Sequence, residues 1–237
     1  MNQEEFFKMV DAAEGRSTVA FPALTRKVYT WMALALAITG ITSYGVASSP
    51  NLLNLIFSNQ ILFWGMLIAE FGLVMFLSAR LGKLSLTTAT MLFILYSVLN
   101  GATMASIFIV YTMSSIAKTF FICAGTFAAM AIYGYTTKRD LSSIGKLLIM
   151  ALIGLIIASI VNMFMKSTGF DMIISYVGVL IFVGLTAWDT QKIKNWLAGA
   201  DMMDESAQKI ALLGALSLYL DFINLFLYML RIFGRRD

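Results

Sequence analysis

The chain has 237 residues, of which 59% are hydrophobic and 13% charged, with a formal net charge of +4 and a mean hydropathy of +0.83. That is about half the charge of an ordinary soluble domain, so a water-soluble globular protein is excluded and an integral membrane protein is indicated. There is no histidine and one cysteine, which excludes Ser–His or Cys–His catalysis, imidazole- or thiolate-held metals and haem.

The opening stretch, MNQEEFFKMVDAAEGRSTVAFPALTRK, is polar and of mixed charge. It lacks a basic segment leading into a short apolar core, so no cleaved signal peptide is expected. Residues 1–27 read as a cytoplasmic N-terminal tail and 28–237 as the transmembrane domain. A hydrocarbon core about 30 Å thick needs roughly 20 mostly apolar residues per helix. Segments of that kind follow in order at 28–47, 60–79, 84–110, 119–135, 145–165, 172–188 and 210–232. The expected fold is an all-α integral membrane protein, a seven-transmembrane-helix bundle. A β-barrel would show apolar and polar residues alternating in segments of about ten, and no such pattern is present.

Basic residues gather beside the ends of these segments. With the N-terminus in the cytoplasm, about twelve of the 17 Lys and Arg lie inside, and the outer loops hold Lys118 and Lys166. The pI of about 9.2 is thereby accounted for by topology, and no nucleic acid partner is expected. Arg231, Arg235 and Arg236 disagree with this bias. Either the last segment spans and the rule yields locally, or it is a re-entrant or broken helix whose tail returns inward.

A charge at the bilayer centre costs at least ~2.5–3.5 kcal/mol, so the polar residues inside apolar runs are informative. Glu70 lies midway in FWGMLIAEFGLVMFLSAR, out of reach of either interface. Arg80 closes the same segment as a snorkelling topology anchor, and ten helical residues, ~15 Å, separate it from Glu70. Asn100 and Asn162 read as interhelical hydrogen-bonding glue, and Gly101/Ala105 and Gly125/Ala129 as small-residue contacts that let helices approach. Cys123 reads as buried packing. Asp189 ends the sixth segment in VGLTAWDTQKIK, either as an interfacial acid paired with Lys192 or Lys194 or as part of a site. Asp201, Asp204 and Glu205 read as a solvated loop. Asp221 lies deepest, in LSLYLDFINLFLYMLRIFG, aligned at helical spacing with Gly214, Ser217, Asn224, Tyr228 and Arg231. Such a stripe faces protein or a water-filled cavity, so the last helix belongs at the centre of the bundle.

The last segment has no lysine for a retinal Schiff base, and no Gly-rich phosphate loop occurs. The remaining membrane carboxylates admit two mechanisms. One is an ion path, since carboxylate and amide oxygens suit hard cations such as Ca²⁺. The other is an aspartyl intramembrane protease, which normally has a Gly-x-Gly-Asp turn and a later Pro-Ala-Leu motif. Here the aspartate follows LYL, and Pro22 and Pro50 both lie upstream.

GLTAWDTQKIK, LSLYLDFINLFLYMLRIFG, GYTTKRDLSSIGKLLIMALIGLIIASIVN, AEFGLVMFLSAR and LYSVLNGATMASIF together resemble the Bax inhibitor-1 (transmembrane Bax inhibitor motif) family, in its bacterial branch. The resemblance implies a last helix wrapped by the other six and a pH-sensitive calcium leak channel of the cell inner membrane, not an enzyme. It implies no cofactor, with Ca²⁺ or another cation as permeant ion and the lipid bilayer as surroundings. It also implies that Asp189 and Asp221 form a carboxylate pair that senses pH and contacts Ca²⁺, and that a basic residue of the second helix, best matched by Arg80, latches to it. Glu70, Asn100, Ser217, Asn224 and Tyr228 are the expected lining of the path. The tryptophan of AWDT replaces the family's commoner tyrosine and removes one hydroxyl near the site. Some bacterial relatives resemble partners of a membrane-embedded protease, which leaves an interaction protein as the second reading, with residues 1–27 as its contact.

Overall fold

The structure is a computed structural model that describes residues 3–199 and 203–235, with side chains from residue 20 onward. The described chain is all-helical, and seven of its helices are long and apolar enough to cross a membrane. In order the α-helices of the described residues are α1 (Gln3–Ala47), α2 (Pro50–Phe57), α3 (Gln60–Arg80), α4 (Leu86–Met104), α5 (Ile107–Val110), α6 (Met113–Thr136), α7 (Ser142–Met165), α8 (Thr168–Ala198) and α9 (Glu205–Phe233). Of these, α2 and α5 are short connectors.

Polar residues at the segment ends set most of these boundaries. Ser49, Asn59, Ser85, Thr112, Ser167 and Asp204 each accept a backbone N–H from the first turn of the helix that follows, satisfying donors that a helix start leaves open. Pro50 adds a first residue that needs no N–H partner. Asp140 accepts from the Ser142 N–H at the start of α7, and these bonds to Ser142 hold its carboxyl below the usual range. At the other end of α7, Lys166 takes the left-handed conformation with φ 51°. Asn162 binds that turn twice, through its carbonyl to the Lys166 N–H and its side chain to the Ser167 N–H. Its role is to close the α7–α8 turn rather than to bond across helices.

Several boundaries differ from the sequence reading. The first helix passes through residues 27 and 28 without a break, and Ala20, Leu24, Val28 and Met32 bury one face of it. The segment 84–110 divides into α4 and α5 at Ala105. The sixth span continues past Trp188 to Ala198, because Thr190, Gln191, Ile193 and Leu197 remain buried against neighbours.

The last helix is central. In its most apolar stretch 67% of residues are buried, against 11% in α3 and in α7. It is unbroken from Glu205 to Phe233 and long and apolar enough to cross a membrane, not a broken helix. Its end is tied beside the start of α6, where Arg235 donates its N–H to Ser115 Oγ and accepts from the Thr112 N–H. The Arg231 charge that opposed the topology rule is met by Asp171 of α8, 3.2 Å away, and lies over the Tyr228 ring. Arg236 and Asp201 lie outside the described residues.

Close helix contacts rest on particular small residues. A methyl at Gly101 would lie 2.6 Å from the Thr39 carbonyl oxygen, and one at Gly134 would overlap the Ala187 backbone. Gly125, in contrast, faces open space and mediates no helix contact. Gly134→Ala should therefore force α6 from α8 and cost about 1–3 kcal/mol, seen as a lower thermal unfolding midpoint in detergent. Gly125→Ala should leave that midpoint unchanged.

Candidate functional site

The polar side chains expected to form one site fall into two clusters that share α9. The first contains Asp189 of α8 and Asp221 of α9. Asp221 is 5% exposed and the Asp189 side chain 13% exposed, and the two negative charges repel one another when both are ionised. Asp189 Oδ1 and Asp221 Oδ2 are buried with no hydrogen-bond partner among the described residues.

Among the described residues, the cation that faces this pair is Lys192. Lys192, one helical turn beyond Asp189, holds its Nζ 3.7 Å from Asp189 Oδ1, an ion pair longer than a hydrogen bond. The same ammonium lies 4.7 Å from the ring centres of Trp188 and of Trp196, within cation–π range. Their spacing along α8 places both indoles on the lysine's face of the helix. Trp188 is seated on Gly145 of α7, where any side chain would overlap the indole. A cleft of about 10 Å³, space for about one water, is lined in part by Tyr29, Tyr135, Thr190, Lys194 and Leu218 and by neither aspartate.

Arg80 is not part of this arrangement. It closes α3 with an exposed side chain and makes no ion pair or hydrogen bond among the described residues. Leu77 and Leu81 are buried at this end of the span, whereas the Arg80 side chain is exposed. Gln191 and Lys194, the next polar residues of α8, fasten loops instead. Gln191 accepts from Leu141 N–H and donates to the Arg139 carbonyl, and Lys194 donates to the Tyr135 carbonyl.

The second cluster surrounds Glu70. This carboxylate is 8% exposed and accepts from Asn100 Nδ2 at 3.2 Å and Thr103 Oγ1 at 2.9 Å. Asn100 Oδ1 in turn accepts from the Tyr219 hydroxyl of α9 at 3.0 Å. Tyr219 Oη lies 2.6 Å from Thr39 Oγ1 of α1. Four helices thus contribute to one buried polar chain. Tyr219 and Thr39 carry no sequence signal of this role, because a tyrosine and a threonine among apolar residues read as packing.

The remaining stripe residues are less engaged. Asn224 donates to the Leu220 carbonyl of its own helix. Tyr228 stacks on Phe182 and fills the space left by Gly178. Ser217 is half-buried without a hydrogen bond among the described residues. Asp204 and Glu205 have structural duties: Asp204 caps α9, and Glu205 accepts from the Leu86 N–H and pairs with Lys209.

Residues 22–237 match a family described as inhibitor of apoptosis-promoting Bax1. An inner membrane protein of Escherichia coli, YbhL, is 53% identical over 211 residues, which cover 89% of this chain and 90% of that protein. An uncharacterised protein of Borreliella burgdorferi is 48% identical over 210 residues, covering 89% and 90% of the two chains. One of Rickettsia prowazekii is 45% identical over 214 residues, covering 89% and 88%.

Because the Trp188 indole occupies the space above Gly145, Gly145→Ala should displace the ring that flanks Lys192. The expected result is altered tryptophan emission relative to wild type, absent when the same substitution is made on a Trp188→Phe background.

Proposed function

The chain belongs to the Bax inhibitor-1 family, and from the arrangement at Asp189, Asp221 and Lys192 we propose that it is a pH-sensitive cation leak channel of the inner membrane, with Ca²⁺ as permeant ion and its N-terminus in the cytoplasm. The observation that carries this reading is the pair of buried carboxyl groups beside the Lys192 ammonium. Two carboxylates that repel in a low-dielectric site cannot both ionise cheaply, so the charge state of one is coupled to that of the other. While the pair is charged, Lys192 is drawn to it and positive charge occupies the cytoplasmic end of the path. Protonation removes that attraction and leaves Lys192 to Trp188 and Trp196, which opens the way for a cation.

Asp189 and Asp221 supply part of the six to eight oxygens that Ca²⁺ takes. In this mechanism Lys192 takes the place expected of Arg80, which remains a membrane anchor. Ser217 and Tyr228 lie on the Asp221 face of α9, Ser217 one turn toward the cytoplasm and Tyr228 toward the outer end, where the Asp171–Arg231 ion pair is the second charged constriction.

In liposomes, the purified protein should pass Ca²⁺ faster as the pH is lowered from neutral. Asp221→Asn and Asp189→Asn should each give a pH-independent rate; a wild-type pH profile in either would overturn the gating role of the pair. A partly exposed ion pair contributes at most about 1 kcal/mol, so Lys192→Met should raise the neutral-pH leak by up to about fivefold. Arg80→Ala should leave it unchanged, and the opposite ranking of these two variants would return the latch to Arg80.

A further inference from the structure

We propose that Glu70 is a second proton-binding site, separate from the aspartate pair, and that a proton bound there reverses the direction of a hydrogen-bond chain ending on α1 and α4. The chain passes from Glu70 through Asn100 to Tyr219, then to Thr39, whose hydroxyl lies 3.0 Å from the Ser97 carbonyl. The proposal does not depend on what crosses the bundle.

A count of protons gives the reason. The Tyr219 and Thr39 hydroxyls sit between two acceptors, Asn100 Oδ1 and the Ser97 carbonyl. Two hydroxyl protons thus face three contacts. The contact between the hydroxyls, at 2.6 Å, requires a proton in it, so one end of the chain goes unfilled. With Glu70 ionised, Asn100 donates to it, Tyr219 donates to Asn100, Thr39 donates to Tyr219, and the Ser97 carbonyl is left without the hydroxyl.

A protonated Glu70 removes the deficit. Its O–H donates to Asn100 Oδ1 once that amide has turned over, which exchanges two groups of nearly equal size. Asn100 Nδ2 then donates to Tyr219, Tyr219 to Thr39, and Thr39 to Ser97. Every contact is filled, and each donor along the chain now points the other way.

Nothing else near the site competes for this control. The titratable groups that face Glu70 are Tyr96 of α4 and Tyr219 of α9, and no lysine or arginine pairs with it among the described residues. Tyr219 is fully buried, with the rings of Phe93 and Tyr96 edge-on at 5.8 Å. Its hydroxyl can redirect its proton without leaving its place. Tyr219 precedes Asp221 by two residues on α9, so the central helix has two separate proton inputs.

Infrared difference spectra of the full-length protein in liposomes, recorded on acidification in an Asp189→Asn/Asp221→Asn background, test this without reference to ion flux. A protonated-carboxyl C=O band should appear together with a change in a tyrosine C–O band. Both should be absent in Glu70→Gln, whose side-chain amide mimics the protonated form. In Tyr219→Phe the carboxyl band should remain and the tyrosine component disappear. Carboxyl-¹³C glutamate in the background protein should move the carboxyl band, a measurement that needs no change at position 70. A carboxyl band that ignores the glutamate label would overturn the site, and a tyrosine component that survives in Tyr219→Phe would overturn the chain reversal.

Discussion

A carboxylate held between apolar helices has no water to solvate it, and the cost of placing it there, at least ~2.5–3.5 kcal/mol, constrains everything around it. Asp221 can be accommodated only if its face of the helix is turned away from lipid, and α9 is the most buried of the spans. α1, α4, α6 and α8 pack against it, so the position of one acid is tied to the arrangement of much of the bundle. Asp189 and Glu70 are subject to the same cost and meet it differently. Asp189 keeps a lysine within ion-pair distance, whereas Glu70 relies on neutral donors, an amide and a hydroxyl.

Reaching such partners requires helices to come closer than large side chains permit. At Gly101 the α4 backbone approaches Thr39 of α1, the residue that also links Ser97 to Tyr219. At Gly145 the α7 backbone accepts the face of Trp188, whose other neighbour is Lys192. In both clusters, a missing side chain and a polar contact occur at the same helix crossing. Without hydrocarbon exclusion to draw helices together inside a membrane, packing of this kind is itself a source of cohesion.

At the ends of the bundle, where water is accessible, charged and amide groups fasten neighbouring elements. Lys27 reaches Gln208, Gln191 holds the Arg139–Leu141 loop, and Glu205 joins α9 to the start of α4. At the opposite end Asp171 meets Arg231. That pair balances the Arg231 charge locally.

From the sequence alone come the seven spans, the absence of imidazole chemistry, and the central place of α9, because hydropathy and helical periodicity depend only on local order. The odd acids Glu70, Asp189 and Asp221 were legible for the same reason. Which group partners each acid was not, since partners are chosen by helix rotation and crossing. Arg80 stands on the second span as an anchor and points away from the core, while Lys192 lies one turn beyond Asp189 on its own helix. Gly125 and Gly134 are alike in sequence, yet only Gly134 meets another backbone. Tyr219 and Thr39 are 180 positions apart in sequence, and only the packing of α1 against α9 turns two unremarkable hydroxyls into a buried chain that ends on Glu70.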